Sequence, residues 1–255
     1  MSPTRPERSN QGVDLEDTPP HPPYEGSFPA LASHLRLHYP RYGLAGAAAV
    51  SACSLLAALA YQGRGGESYS IFNHFISELG ESGVSSLDWL FNLGLLAGGI
   101  LFLPFILGLS LALPGWLSKL GGVAGVVAAI SLAGVGIFPM NNLEPHILAA
   151  MTYFRSGLVT VLLFALAIQL QPEGRLVLNK WANLASLVAV ICYAFFLIFM
   201  QIPTGRESSN LDLSWMVSRP DVLPLAILEW SIFFSTILWF AVIAISRKRS
   251  SATAG

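Results

Sequence analysis

An all-α fold is predicted: a polytopic membrane bundle of six transmembrane helices with the N- and C-termini cytoplasmic. Three observations predict it. Of 255 residues, 53% are hydrophobic and only 11% charged, whereas an ordinary soluble domain carries about 25% charged residues. The charges crowd into tails and connections and leave six long apolar runs bare. Lys and Arg also favour alternate connections, which orients a membrane chain.

The elements follow in order. Residues 1–40 read as a disordered, proline-rich tail, with Pro19-Pro20-His21-Pro22-Pro23 at its centre. Such a segment buries too little apolar surface to offset its ordering entropy. The transmembrane domain is placed at 41–248 and a short C-terminal tail at 249–255. Its apolar runs are Tyr42–Tyr61, Leu87–Leu113, Trp116–Phe138, Ile147–Leu170, Trp181–Ile202 and Leu223–Ser246. Each approaches the ~20 residues a helix needs to cross ~30 Å of hydrocarbon. Helices are required because lipid offers backbone groups no partner. Pro114-Gly115 separates the second run from the third, Pro139 stops the third, and Pro145 suits the first turn of the fourth. Pro104 falls inside the second run and predicts a kink there.

Arg36 and Arg41 precede the first span, Lys119 flanks the turn after the second, Arg175 and Lys180 lie between the fourth and fifth, and Arg247-Lys248-Arg249 follows the last. The other three connections are poor in Lys and Arg, so both ends are expected in the cytoplasm. Glycine and alanine are abundant in the first three spans, which predicts close helix packing.

Composition also bears on partners and cofactors. A net charge of -1, without a basic stripe, argues against nucleic acid. Cys53 and Cys192 both sit in apolar runs and read as small buried hydrophobes. No phosphate-binding glycine loop, zinc-binding His-Glu motif or haem-attachment motif occurs, so no cofactor is named and no metal site is assigned. The expected partners are membrane lipids and other membrane subunits.

Three polar features fall toward the non-cytoplasmic side. In residues 68–80, apolar residues recur at helical spacing and predict a short interfacial helix ended by Gly80. On it, Asn73 and Ser77 share an edge, and His74 and Glu78 are four apart and placed to pair. His146 sits at the start of the fourth span, where the helix dipole disfavours its cation. It reads either as a capping histidine or as a neutral imidazole serving as a base or a metal ligand. Arg155 and Glu229 are the only charges deep inside the predicted spans, about nine and six residues in, so their depths differ by about 5 Å. They are expected to pair, either as a structural lock or as part of a headgroup site in which Arg155 holds an anion. A zinc site from His74, His146 and Asp212 is the least favoured arrangement.

Ile76-Ser77-Glu78-Leu79-Gly80, followed by Leu90-Phe91-Asn92-Leu93-Gly94-Leu95 and Gly98, resembles the start of the DUF998 membrane family. Gly136-Ile137-Phe138-Pro139, then His146 and Ala149, resembles that family's second block. Glu229 with Trp239 in a final helix resembles its third. The Glu229-Trp230 pair departs from the Glu-Arg frequent there and is closer to the Frag1/DRAM/Sfk1 membrane proteins. The resemblance implies a six-helix bundle of unknown activity; the latter relatives are linked to lipid remodelling, lipid distribution and autophagy. The expected function is binding or handling of a lipid headgroup at the non-cytoplasmic side, with Arg155, His74, Ser77 and Asn73 as binding residues. The alternative is an intramembrane enzyme acting on a lipid or isoprenoid, with His146, Glu229 and Glu78 as acid–base groups. A structural subunit of a membrane complex is the third reading.

Overall fold

The computed structural model describes residues 27–201 and 219–247. Among them are six long helices: α1 Ser27–Leu59, α2 Asp88–Ala112, α3 Trp116–Ile137, α4 Leu143–Gln169, α5 Asn183–Phe199 and α6 Pro224–Ile245. All are long and apolar enough to cross a membrane, α5 together with the 3₁₀ turn at Lys180–Ala182 that precedes it.

Proline and glycine set most of the boundaries. The turn between α2 and α3 needs Gly115, whose φ of 85° is a region other residues avoid. α3 ends just before Pro139, and Pro224 occupies the first turn of α6, where its missing N–H costs nothing. Pro104 lies within a continuous α2. α1 begins earlier than the sequence suggests: residues 27–40, assigned above to the tail, are helical. Tyr39 explains part of this, being fully buried and edge-on to Phe105 at 5.7 Å. Residues 1–26 and 249–255 lie outside the described residues.

Each helix packs on the next in sequence, and α6 returns to α1. The bundle is therefore a ring of six, with the start of α1 and the end of α6 at one rim. There Arg247 Nη1 donates to the Leu37 carbonyl of α1 at 2.6 Å. Aromatic side chains fill the axis. Phe102 of α2 stacks on Phe240 of α6 at 3.8 Å, and Trp239 packs edge-on to Phe105. The Trp239 indole donates to Ser186 Oγ of α5 at 3.0 Å, so its polar atom is satisfied in the apolar core.

The small residues of α1–α3 act as the sequence predicts. A Cβ on Gly99 would come within 2.6 Å of the Ala129 carbonyl of α3, and one on Gly136 within 2.5 Å of the Asn92 carbonyl of α2. Backbone meets backbone at these crossings, where a methyl has nowhere to go.

At the opposite rim, residues 60–87 fold over the ring as a cover. The interfacial helix expected over 68–80 does not form. Only Ile76–Gly80 is helical, as a 3₁₀ turn. Glu78 folds back to accept the Phe75 N–H at 2.8 Å, which caps the start of this short turn. The chain then dives inward, so Glu78, Leu79 and Gly80 are all buried. Asn92 of α2 donates to the Gly80 carbonyl at 2.9 Å, and a Cβ on Gly80 would strike that side chain at 2.2 Å. Hydrogen bonds to neighbouring elements thus override the helical periodicity of an amphipathic stretch.

Candidate functional site: a covered cavity at one rim

The cover is held by buried charge. Glu78 is 1% exposed and receives Arg219 Nη1 at 2.8 Å, in addition to the Phe75 amide. The same Arg219 nitrogen donates to the Asn73 carbonyl at 3.0 Å. Burial disfavours the guanidinium cation, but the hydrogen bond and charge of Glu78 outweigh it and raise its pKa. A second ion pair joins Arg64 to the buried Glu81. Two further bonds tie the cover to the lead-in of α6: the Leu223 amide donates to the Phe72 carbonyl at 2.8 Å, and Asn73 Nδ2 to the Pro220 carbonyl at 3.3 Å.

Aromatic groups back this polar network. Trp230 of α6 donates its indole N–H to Tyr69 Oη at 2.9 Å, and the Tyr69 hydroxyl donates in turn to the Phe75 carbonyl, also at 2.9 Å. Burial first, then the charge of Glu229, push the Tyr69 hydroxyl pKa well up. His74 is 3% exposed and lies against the Tyr61 and Tyr69 rings. Burial lowers its pKa; Glu78 works against that shift and Arg219 reinforces it.

Beneath the cover lies a cavity of about 70 Å³. Its walls are mainly apolar, from Phe91, Leu95, Phe154, Ile232, Phe233 and others. Five polar side chains also face it: Ser77, His146, Tyr153, Glu229 and Thr236. Glu229 of α6 accepts the Ile76 amide of the cover at 2.8 Å, which couples the floor of the cover to the cavity wall. His146 of α4 has Nδ1 2.7 Å from the Phe138 carbonyl. A carbonyl only accepts, so Nδ1 carries the proton and Nε2 of the neutral ring offers a lone pair. Deeper in, Tyr193 bridges Tyr153 at 3.2 Å and Thr236 at 3.0 Å, linking α4, α5 and α6.

His146 and Glu229 thus meet at one cavity, with Ser77 at its rim. No hydrogen bond joins them: Glu229 accepts the Ile76 amide and His146 Nδ1 faces the Phe138 carbonyl. Glu78, His74 and Asn73 belong to the cover and do not line the cavity. His74 and Glu78 do not bond to each other: Glu78 is taken by Arg219, while His74 Nδ1 lies 2.8 Å from Asn73 Oδ1. The expected Arg155–Glu229 pair is not formed. Arg155 is on the exposed face of α4 and has no polar partner among the described residues. Depth alone suggested the pair, but Arg155 and His146 are nine residues apart and so lie on opposite sides of one helix. Ser77 Oγ donates to Met140 Sδ at 3.3 Å rather than to a histidine. Among the described residues no three His, Cys, Asp or Glu gather to hold a metal, and Asp212 lies outside them.

Sequence reading missed Arg219, Tyr69, Trp230 and the Tyr153–Tyr193–Thr236 chain. One signal for Arg219 was available. Glu78 lies within an apolar segment, and a carboxylate buried there needs a cation, which the chain offers from few connections.

Residues 44–246 match the family model described as a protein of unknown function, DUF998, and the chain belongs to that family. Family and helices together make it an integral multi-pass membrane protein. No curated protein and no solved structure matches it.

Proposed function

We propose that this DUF998 protein binds the polar end of a membrane lipid between His146 and Glu229, at the non-cytoplasmic face. The single observation that supports this most is the meeting of two polar groups from α4 and α6 at one otherwise apolar cavity under a clamped cover. The sidedness rests on Arg36, Arg41, Lys119 and Lys180, which fall at the opposite rim with the start of α1 and the end of α6.

The chemistry favours one kind of headgroup. No Lys or Arg lines the cavity, so nothing there would neutralise a phosphate. His146 Nε2 and the Glu229 carboxyl both accept hydrogen bonds, which suits a hydroxyl or amine. The apolar walls suit the chain that carries it. The Glu229-Trp230 sequence supports a kinship with the Frag1/DRAM/Sfk1 proteins and their links to lipids.

The test is an inventory of lipids that remain on the purified protein. Removing an acceptor, or exchanging one carboxylate oxygen for an amide donor, leaves a buried partner unsatisfied at about 1–3 kcal/mol. His146→Ala and Glu229→Gln are therefore expected to lower retention of a specific lipid by roughly 5- to 150-fold while the thermal melt stays cooperative. A folded double variant with an unchanged lipid complement would sink this reading.

One feature favours a catalytic version of the same site. The tautomer of His146 leaves Nε2 able to accept a proton at a cavity that the Glu229 carboxyl also lines. Under that reading, Glu229→Gln retains the lipid yet stops its conversion to a new species on incubation.

A further inference from the structure

Arg155 sits near the midpoint of α4, with twelve residues before it and fourteen after. The apolar run starts at Ile147, eight residues earlier, or about 12 Å along the axis. That is further than an arginine side chain reaches, so snorkelling does not bring the guanidinium to water. The side chain is exposed on the face away from the ring, and no described residue pairs with it. A cation facing hydrocarbon at that depth is costly, and such residues normally meet an opposite charge.

The surrounding face is shaped for a helix. Leu148, Val159, Leu162 and Leu166 are all exposed there. With Thr152 and Arg155 they recur at alternating spacings of four and three, the pattern of a helix–helix seam. Among the described residues no helix covers this stripe.

We propose that this α4 face docks a transmembrane helix of a different protein, one carrying an Asp or Glu near mid-bilayer opposite Arg155. A second copy of this chain does not fit. Two copies packed through the same face would oppose arginine to arginine. Among the described residues no exposed acidic side chain lies at mid-depth: Glu229 is buried, and Asp88 and Glu144 stand at helix ends. This surface is independent of the His146–Glu229 cavity, which is on the opposite side of α4.

The test uses the full chain in phosphatidylcholine vesicles and a fluorescent synthetic Leu/Ala transmembrane helix with one central Asp. The control helix has Leu at that place. Polar contacts between membrane helices are worth about 0.6–2 kcal/mol, so the Asp helix is expected to associate roughly 3- to 30-fold more tightly than the control. Arg155→Leu should erase the difference and Arg155→Lys should keep most of it. Arg155→Leu removes only a lipid-facing charge, so its thermal melt serves as the folding control. Equal association of both helices, or an Asp preference that survives Arg155→Leu, overturns the proposal. Two further outcomes also overturn it. One is self-association of the chain that depends on Arg155. The other is loss of the Asp preference when phosphatidylglycerol is added, which would make Arg155 a lipid-phosphate site.

Discussion

Glu229 and Arg155 both lie inside membrane-spanning helices, yet the molecule treats them in opposite ways. Glu229 is 8% exposed, faces the cavity and accepts an amide from the cover. Its helix neighbours Ala226 and Ile232 are almost fully buried as well. Arg155 stands among exposed neighbours, Val159 and Leu162, and points away from the ring. The cost of a charge in lipid is the same problem for both. One accepts a hydrogen bond from its own chain, and the other meets no partner among the described residues. Depth along a helix says how much a charge costs; its angle around the helix says who can compensate it.

The largest test of this contrast breaks the clamp above Glu229. Arg219→Ala strands the Glu78 carboxylate in a buried site, and losing one partner of such a pair costs about 3–5 kcal/mol. A large fall in the thermal midpoint of the detergent-solubilised protein is expected. A midpoint equal to wild type would show that the cover does not depend on this pair.

A smaller effect follows at Glu229 itself. Glu229→Leu leaves the Ile76 N–H without its acceptor, at about 1–3 kcal/mol. Glu229→Gln retains an acceptor oxygen and should cost visibly less. Equal losses for Leu and Gln would mean that charge, not the amide bond, is what matters there. Arg155→Leu should cost no stability, because nothing in the chain loses a partner, and relief of the exposed charge is expected to raise the midpoint. A loss comparable to that of Glu229→Leu would remove the contrast between the two residues.

The smallest effect is in pH dependence. Burial lowers the pKa of His74 in the folded cover, while an unfolded histidine titrates near ~6.5. Below that value the unfolded chain binds more protons, so stability is retained above ~6.5 and declines as pH falls. Glu67 acts in a separate window. Its own backbone amide and that of Gly65, with the His74 and Arg219 charges, outweigh burial and lower its pKa, so its contribution is lost only below the ordinary carboxylate range. Melting curves of wild type and His74→Gln between neutral pH and pH ~5 should diverge, with the variant less sensitive. Parallel curves would show that His74 carries no such linkage.

Much of the fold is legible in the residues because lipid leaves few choices. Apolar runs of spanning length have to be helices, Pro139 and Gly115 have to punctuate them, and the glycines of α2 and α3 have to sit at close crossings. His146 and Glu229 were also identifiable as polar groups placed where polar groups are expensive. Their meeting at one cavity was not, since residues from α4 and α6 are brought together only by ring closure. The cover was the least legible part. Residues 68–80 have helical spacing, but Asn92, Arg219 and Glu229 reach them from other elements and hold a tight turn instead.

The six spans, their order and the expensive charges thus belong to the sequence by itself, because hydrophobicity and backbone hydrogen bonding act locally along a chain in lipid. The partners of those charges were decided only by tertiary structure. A partner is set by the rotation of each helix about its axis and by the packing of its neighbours, and neither is encoded in the distance between two residues along the chain.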